Sequence, residues 1–101
     1  MSAKLNRQRG KRAERRVAEL VGGRRVGVLG GEDIMHDAFS IEVKSRKKFV
    51  AQRWMEQAEK NAQGKMAVVV VHIHKEKYED AFVIVRLKDF LRLSQKAFAS
   101  S

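Results

Sequence analysis

The spacing of apolar and polar residues predicts alternating helices and strands along the 101-residue chain. Apolar side chains recur at helical spacing over 6–21 and again from about 50 to 63, and glycine follows each segment as a stop signal. In the second helix, Val50, Ala51, Trp54 and Met55 are expected on one apolar side. Strands are predicted at 24–29, 33–36, 39–45, 66–73 and 81–87, and one or two further helical turns at 88–93.

The resulting order, α-β-β-β-α-β-β-α, predicts a single α/β domain. The length suits one domain, and no repeat or linker divides it. The helix between the strands at 39–45 and 66–73 suits a right-handed crossover that joins parallel strands. The run "AVVVV" predicts a strand that is buried on both faces. The domain would cover 1–101, with a basic first helix at 6–21 and a frayed tail at 94–101.

A hairpin is expected to join the second and third strands through a tight turn at residues 37 and 38. Its register places Asp33 across from Glu42, and opposed Cβ atoms in such a pair are ~5 Å apart. Glu42 and Lys44 lie two residues apart on one strand, so they share a face. Two carboxylates and one ammonium group are therefore expected to converge.

Charge is the strongest global feature, with 22 Lys and Arg residues against 12 Asp and Glu residues and a net charge of +10. The first 25 residues hold nine of the cations and only two acidic residues. This concentration predicts a polyanionic partner, most often nucleic acid. An anionic membrane is the alternative, but the first helix has too little apolar surface to lie in a bilayer, and no apolar run approaches the ~20 residues of a membrane span.

The carboxylates of the hairpin suggest metal chemistry. Two neighbouring carboxylates repel each other, and a divalent cation between them makes the arrangement favourable. Oxygen ligands in a chain without cysteine suit Mg²⁺, with Mn²⁺ as a substitute, and the absence of cysteine also fits a cytoplasmic protein. A metal held there can activate water, while Lys44 orients that water or stabilises developing negative charge. The alternative is an ordinary solvated strand face, on which Glu and Lys are common.

Three stretches, "IEVKSRK", "RGKRAERRVAELV" and "EQAEKN", resemble the PD-(D/E)XK nucleases, in particular archaeal-type Holliday junction resolvases and small phage endonucleases. The signature is an Asp followed, on the next strand, by Glu-x-Lys, together with a helix-one Glu four residues after a Gly. The resemblance covers roughly residues 7 to 90. It implies a restriction-endonuclease-like domain, with an αβββαβ core and a central mixed sheet flanked by helices. It also implies a homodimer that hydrolyses phosphodiester bonds in branched DNA such as a four-way junction, since resolving a two-fold junction takes two matched cuts. A phage-encoded member would act in the cytoplasm of its host.

The resemblance also implies roles for individual residues. Glu14, Asp33 and Glu42 would bind the metal, and Lys44 would be the catalytic lysine. The family usually has Pro before its Asp, where this chain has Glu32, and the gap to the Glu-x-Lys is short. Asp37 is the alternative ligand. Asp33 is preferred because a turn residue cannot lie opposite Glu42 in the pleat.

Other residues admit both a functional and a structural interpretation. The basic residues after the Glu-x-Lys strand, Arg46, Lys47, Lys48 and Arg53, are expected to contact DNA phosphates beside the site, with a merely solvated cluster as the alternative. The lysines and arginines of the first helix are expected to bind the DNA backbone. Trp54 is expected in the core, His72 and His74 in structural or surface roles, and Gly30-Gly31 at a bend. A nuclease for other DNA structures and a non-catalytic nucleic-acid-binding module remain alternative functions. The basic residues expected at DNA are Arg7, Arg9, Lys11, Arg12, Arg15, Arg46, Lys47 and Lys48.

Overall fold

The computed structural model describes residues 3–26 and 33–99 and shows a mixed α/β protein. The chain forms two compact units, Met1–Lys47 and Lys48–Ser101. The element order is the predicted α-β-β-β-α-β-β-α, with a short 3-10 helix added at Tyr78–Asp80. The prediction of one domain over 1–101 stays a prediction. The predicted bend at Gly30-Gly31 and the end of the first predicted strand lie outside the described residues.

The first unit begins with helix α1, Ala3–Val21, which ends at the predicted glycines. Gly22 adopts φ +71°, a left-handed conformation that glycine reaches at no steric cost. The amide of Gly23 donates to the carbonyl of Ala18 at 3.0 Å, and that of Gly22 donates to Glu19 at 3.4 Å. These two bonds satisfy carbonyls that the end of a helix would otherwise leave unpaired, and they turn the chain back towards α1.

Three short strands complete this unit as an antiparallel sheet in the order β1-β2-β3. In the pairing of β2 with β3, Ile34 opposes Ile41 and Met35 opposes Ser40, which confirms the predicted register and a turn around residue 37. Ile34 is fully buried and lies close to Gly23, where an added Cβ would stand 2.7 Å from the Ile34 Cγ2. The strands are β1 Arg24–Arg25, β2 Ile34–Met35 and β3 Ser40–Ile41.

The second unit pairs helix α2, Ala51–Asn61, with an antiparallel sheet of two strands, β4 Val69–Val71 and β5 Phe82–Ile84. Helix α2 packs against β4, and its Ala51 and Met55 side chains are buried. The sheets of both units are antiparallel, and β3 and β4 belong to different sheets. The prediction that α2 joins two parallel strands is therefore wrong for the residues described, because each strand pairs with a neighbour from its own hairpin.

One face of the β4–β5 sheet is open, contrary to the prediction of a strand buried on both faces. Val70 and Val83 lie opposite each other and are 64% and 62% exposed. Val69, Val71 and Ile84, on the other face, are half-buried. The continuous apolar run predicts the strand correctly, but it does not show whether one or both of its faces are covered.

Helix α3, Leu87–Ala99, runs well past the two turns that the sequence predicts. Leu87, Phe90, Leu91 and Ser94 are half-buried and follow helical spacing, so they form one stripe. The Ser94 hydroxyl donates to the Leu91 carbonyl at 3.0 Å, which lets a residue that often ends helices stay inside this one. None of the helices, within the residues described, is long and apolar enough to cross a membrane.

Candidate active site

Glu42 and Lys44 meet on the segment that directly follows β3. Lys44 Nζ lies 3.2 Å from Glu42 Oε2, and both side chains are exposed. Alternation along an extended chain places side chains two residues apart on the same face. The pair therefore presents a carboxylate and an ammonium group to solvent side by side.

Asp33 ties the three-stranded sheet together. Its backbone N–H donates to Ile41 and its carbonyl accepts from Val26, both at 3.0 Å. Its half-buried carboxylate accepts a hydrogen bond of 2.7 Å from the backbone N–H of Val43. A side-chain oxygen thus takes the place of a backbone carbonyl, which explains why regular β3 pairing ends at Ile41 instead of continuing to residue 45. The same bond places the Asp33 carboxylate beside the residue between Glu42 and Lys44.

Glu14 forms an ion pair with a cation that has no expected role from the sequence. Arg25 Nε donates to Glu14 Oε2 at 2.8 Å, and the two side chains are only 28% and 21% exposed. The pair joins α1 to β1, which follows directly from the chain reversal at Gly22 and Gly23. A cation just after a helix-ending glycine pair is the sequence signal that could have indicated it.

The carboxylates of Glu14, Asp33 and Glu42 are oxygen ligands of the kind that a hard divalent cation prefers, but they do not form one cluster. Over 3–26 and 33–99, no three or more His, Cys, Asp or Glu side chains are grouped so that they could hold a metal ion. The contacts above use Oδ2 of Asp33 and Oε2 of Glu14 and Glu42. A carboxylate has about four acceptor positions on its two oxygens, so each retains capacity for a metal. Mg²⁺ therefore stays a prediction.

Asp37, the alternative ligand, lies in the loop between β2 and β3. It lines a cavity of about 380 Å³ together with Arg24 and His36, and it is exposed. His36 Nδ1 accepts the Ala38 backbone N–H at 3.0 Å and its ring stacks on Phe39, which orders this loop. Asp37 is thus a loop residue, whereas Asp33 lies within the hydrogen-bonded part of the hairpin.

Most of the basic residues expected at DNA are exposed. Arg9 differs, because it is half-buried and its Nε is buried without a hydrogen-bond partner among the described residues. Arg46 donates to the neighbouring Ser45 carbonyl at 3.0 Å. The exposed members are Arg7, Lys11, Arg12 and Arg15 on α1, and Arg46, Lys47 and Lys48 after the Glu-x-Lys segment.

Two residues outside the hairpin have contrasting roles. His72 Nε2 lies 2.7 Å from the Glu76 carbonyl oxygen, and its ring stacks on Tyr78 at 4.1 Å, so it orders the connection between β4 and β5 as expected of a structural histidine. Trp54 was expected in the core but is 47% exposed. The apolar pattern predicted that Trp54 lies on the same side of the helix as Met55. The two residues are consecutive and therefore lie about 100° apart around the helix, and only Met55 is buried.

Comparison of the chain with protein-family models, with curated proteins and with solved structures gives no significant match.

Proposed function

We propose that this protein is a metal-dependent DNA endonuclease of the PD-(D/E)XK type, acting on branched DNA such as a Holliday junction. The proposal is carried by one observation on the hairpin. Asp33 Oδ2 lies 2.7 Å from the backbone nitrogen of the residue between Glu42 and Lys44, and these two side chains are themselves 3.2 Å apart. Two carboxylates and an amine on one hairpin are the groups that such chemistry requires.

In this proposal Asp33 and Glu42 hold Mg²⁺ or Mn²⁺, the ion that would activate water and neutralise charge on the scissile phosphate. Lys44 stabilises negative charge as it develops, because its ammonium group stands beside the metal-binding carboxylate. Glu14 is the third ligand that the resemblance implies. Its ion pair with Arg25 would have to open, or share the carboxylate, when the metal binds.

The basic helix α1 supplies the affinity for DNA. It carries seven Lys and Arg residues against two glutamates, and most of the cations are exposed. Such a surface neutralises phosphates without reading sequence, so binding should weaken steeply with salt. The restriction-endonuclease-like αβββαβ core with a central mixed sheet, and a homodimer that makes two matched cuts, are further parts of the proposal.

A non-catalytic nucleic-acid-binding module is the second candidate. It is favoured by the ion pair of Glu14 with Arg25 and by the lack of a metal-ligating group of three side chains among the described residues. In that case the hairpin carboxylates serve solubility, while α1 still binds DNA.

Cleavage of a labelled four-way junction separates the two candidates. The wild type is incubated with Mg²⁺, Mn²⁺ or no metal, beside Glu42→Ala, Lys44→Ala and the matched surface variants Glu56→Ala and Lys60→Ala from α2. We expect nicking that depends on the metal and that both hairpin variants abolish. These two variants should still bind the junction, and the two surface variants should cut it like the wild type. Binding without cleavage in every metal supports the module. Equal cutting of a linear duplex assigns another DNA structure as substrate.

A further inference from the structure

A hollow of about 440 Å³ in the second unit is lined by the end of α2, the turn that follows it and the first two turns of α3. Two consecutive residues with positive φ, Gln63 at 49° and Gly64 at 84°, turn the chain after α2. The Lys65 N–H closes this turn by donating to the Ala62 carbonyl at 3.0 Å. Residues 64–67 therefore line the hollow together with residues 88, 89 and 92 of α3.

The ion pair of Glu59 with Arg86 joins α2 to α3 at this hollow. Arg86 directly precedes α3, and its guanidinium donates bonds of 3.0 and 2.9 Å to the Glu59 carboxylate in the last turn of α2. The two residues are 27 positions apart, so this contact is a tertiary one. Glu59 lines the hollow, and the guanidinium compensates the negative charge that its carboxylate would otherwise present there.

Three cations from separate parts of the chain line the same hollow. Lys65 lies just after the turn, whereas Lys88 and Arg92 are four residues apart on α3 and therefore share a face. All three are exposed, and none of them forms an ion pair with any residue that the structure describes. The lining also contains Asp89 and the compensated carboxylate of α2, so three positive charges face one uncompensated negative charge.

The charges and their arrangement select a phosphate group as the occupant. The lysines supply point charges, and the planar guanidinium of Arg92 can donate two parallel hydrogen bonds to neighbouring oxygens. Phosphate oxygens point in several directions, so cations from the turn and from α3 can share one group. The two oxygens of a carboxylate lie in one plane and serve fewer cations at once. Phosphates are also the groups that a polyanionic partner of this basic chain supplies.

We propose that the hollow lined by Lys65, Lys88 and Arg92 binds a phosphate group of the DNA backbone. The site deepens the proposed function by giving the second unit its own contact with DNA, and it rests on that function only in taking DNA as the partner. It requires neither metal nor cleavage. A backbone phosphate carries no sequence information, so the contact adds affinity on every DNA sequence.

The salt dependence of DNA binding measures this contact. Each phosphate contact steepens the fall of log affinity with log salt concentration, by about 0.9 for duplex DNA. Binding of a labelled duplex is measured by anisotropy in EDTA over a range of salt concentrations, for the wild type and Arg92→Ala. We expect the variant to bind more weakly, with a slope that is shallower by about one. An unchanged slope overturns the site.

Three further variants separate a shared site from diffuse positive charge. Lys77→Ala removes an exposed cation of the same unit that does not line the hollow, and its slope should match the wild type. Arg92→Lys keeps the charge and should retain most of the slope. The double variant Lys65→Ala and Arg92→Ala should lower the slope by about one and not by about two, because both cations serve one phosphate. An equal loss in Lys77→Ala, or a twofold loss in the double variant, overturns the shared site.

Other anions identify the source of the bound group. Labelled polyglutamate and vesicles of phosphatidylglycerol replace the DNA in the same titrations. We expect Arg92→Ala to leave the binding of polyglutamate unchanged. Equal weakening for polyglutamate means that the hollow accepts any polyanion, and weakening for the vesicles without a change for DNA assigns it to a lipid headgroup. Either result overturns the proposal.

The two proposals fail in different ways. If the phosphate site is wrong, the junction is still cut in a metal-dependent manner, but Arg92→Ala leaves the salt slope unchanged. If the nuclease is wrong, Arg92→Ala still lowers the slope although no metal supports cleavage.

Discussion

Arg25 Nε donates a 2.8 Å hydrogen bond to Glu14 Oε2, and this ion pair fastens the middle of α1 to the first strand of its sheet. Ion pairs on an open surface contribute little because water screens them and long side chains lose entropy. This one is mostly shielded from solvent. Removing one partner leaves the other charge half-buried, so the pair has a structural role whether or not Glu14 also serves a metal.

A double-mutant cycle of Glu14→Gln and Arg25→Met measures that role. We expect a coupling of about 1 kcal/mol in the free energy of unfolding, at the upper end for partly exposed pairs. The matched control is the exposed pair Arg16–Glu19, one turn apart on α1 at 3.0 Å, for which a few tenths of a kcal/mol is expected, roughly 0.3. Urea denaturation of both cycles gives the comparison, and equal couplings would contradict the structural role of Arg25.

Asp33 combines a structural role with its proposed catalytic one, and two substitutions separate them. Asp33→Ala removes the acceptor for the Val43 N–H and should cost about 2 kcal/mol, as expected for a hydrogen bond to a charged group. Asp33→Asn keeps a neutral acceptor and should cost about half as much. Both should abolish metal-dependent cleavage, because neither supplies a carboxylate. Asp37→Ala is the control and should alter neither property. Cleavage that survives in Asp33→Asn but not in Asp37→Ala would show that Asp37, and not Asp33, is the metal ligand.

Two glycines of the first unit, one inside α1 and one just after it, should respond to alanine with opposite signs. At Gly23 the new Cβ would lie 2.7 Å from Ile34 Cγ2 and 2.8 Å from the Met35 carbonyl oxygen, and backbone cannot give way easily. We expect a loss of about 2 kcal/mol, typical of overpacking.

A Cβ added at Gly10, in the interior of α1, would meet no described atom within 4 Å apart from its chain neighbours and the nearby backbone of its own helix. Gly10→Ala should therefore stabilise by about 0.5–1 kcal/mol through helix propensity and a less flexible unfolded chain. Thermal unfolding of both variants tests the sign. Stabilisation by Gly23→Ala would show that β1 and β2 do not approach as closely as the structure has them.

The pattern of apolar and polar residues predicted the hairpin more accurately than it predicted the buried core. The alternation from Phe39 to Ser45 sets which side chains share a face, and with a short turn it leaves one register, which the pairing of Ile34 with Ile41 confirms. Periodicity does not say what covers a face. Val70 and Trp54 were therefore expected to be buried and are exposed. The Arg25 partner of Glu14 was missed for the same reason, because it depends on how the chain folds back after α1.

The pH dependence of the second unit should follow the ion pair between Glu59 of α2 and Arg86, the residue before α3. Arg86 donates two parallel bonds, from Nε to Oε2 at 3.0 Å and from Nη2 to Oε1 at 2.9 Å. These bonds lower the pKa of Glu59 below its ordinary value of 4.5 because they favour the ionised carboxylate, and they raise the pKa of Arg86. A carboxylate whose pKa is lowered by folding stabilises the fold above its unfolded pKa and loses that contribution as the pH falls through the folded one.

We therefore expect Glu59→Gln to lower the unfolding temperature at pH 7, and the gap from the wild type to close as the pH falls below 4.5. The raised pKa of Arg86 lies far above this range, so the guanidinium stays charged throughout and does not enter the change. Both chains share all other titrating carboxylates, and their difference isolates Glu59. Glu79→Gln, at an exposed glutamate of the same unit, controls for the loss of one negative charge. Because salt screens an exposed pair, the gap at pH 7 should also shrink in high salt. A gap that stays constant from pH 7 to strong acid would mean that the glutamine substitution costs stability through packing, and that the double hydrogen bond from Arg86 does not depend on the charge of its partner.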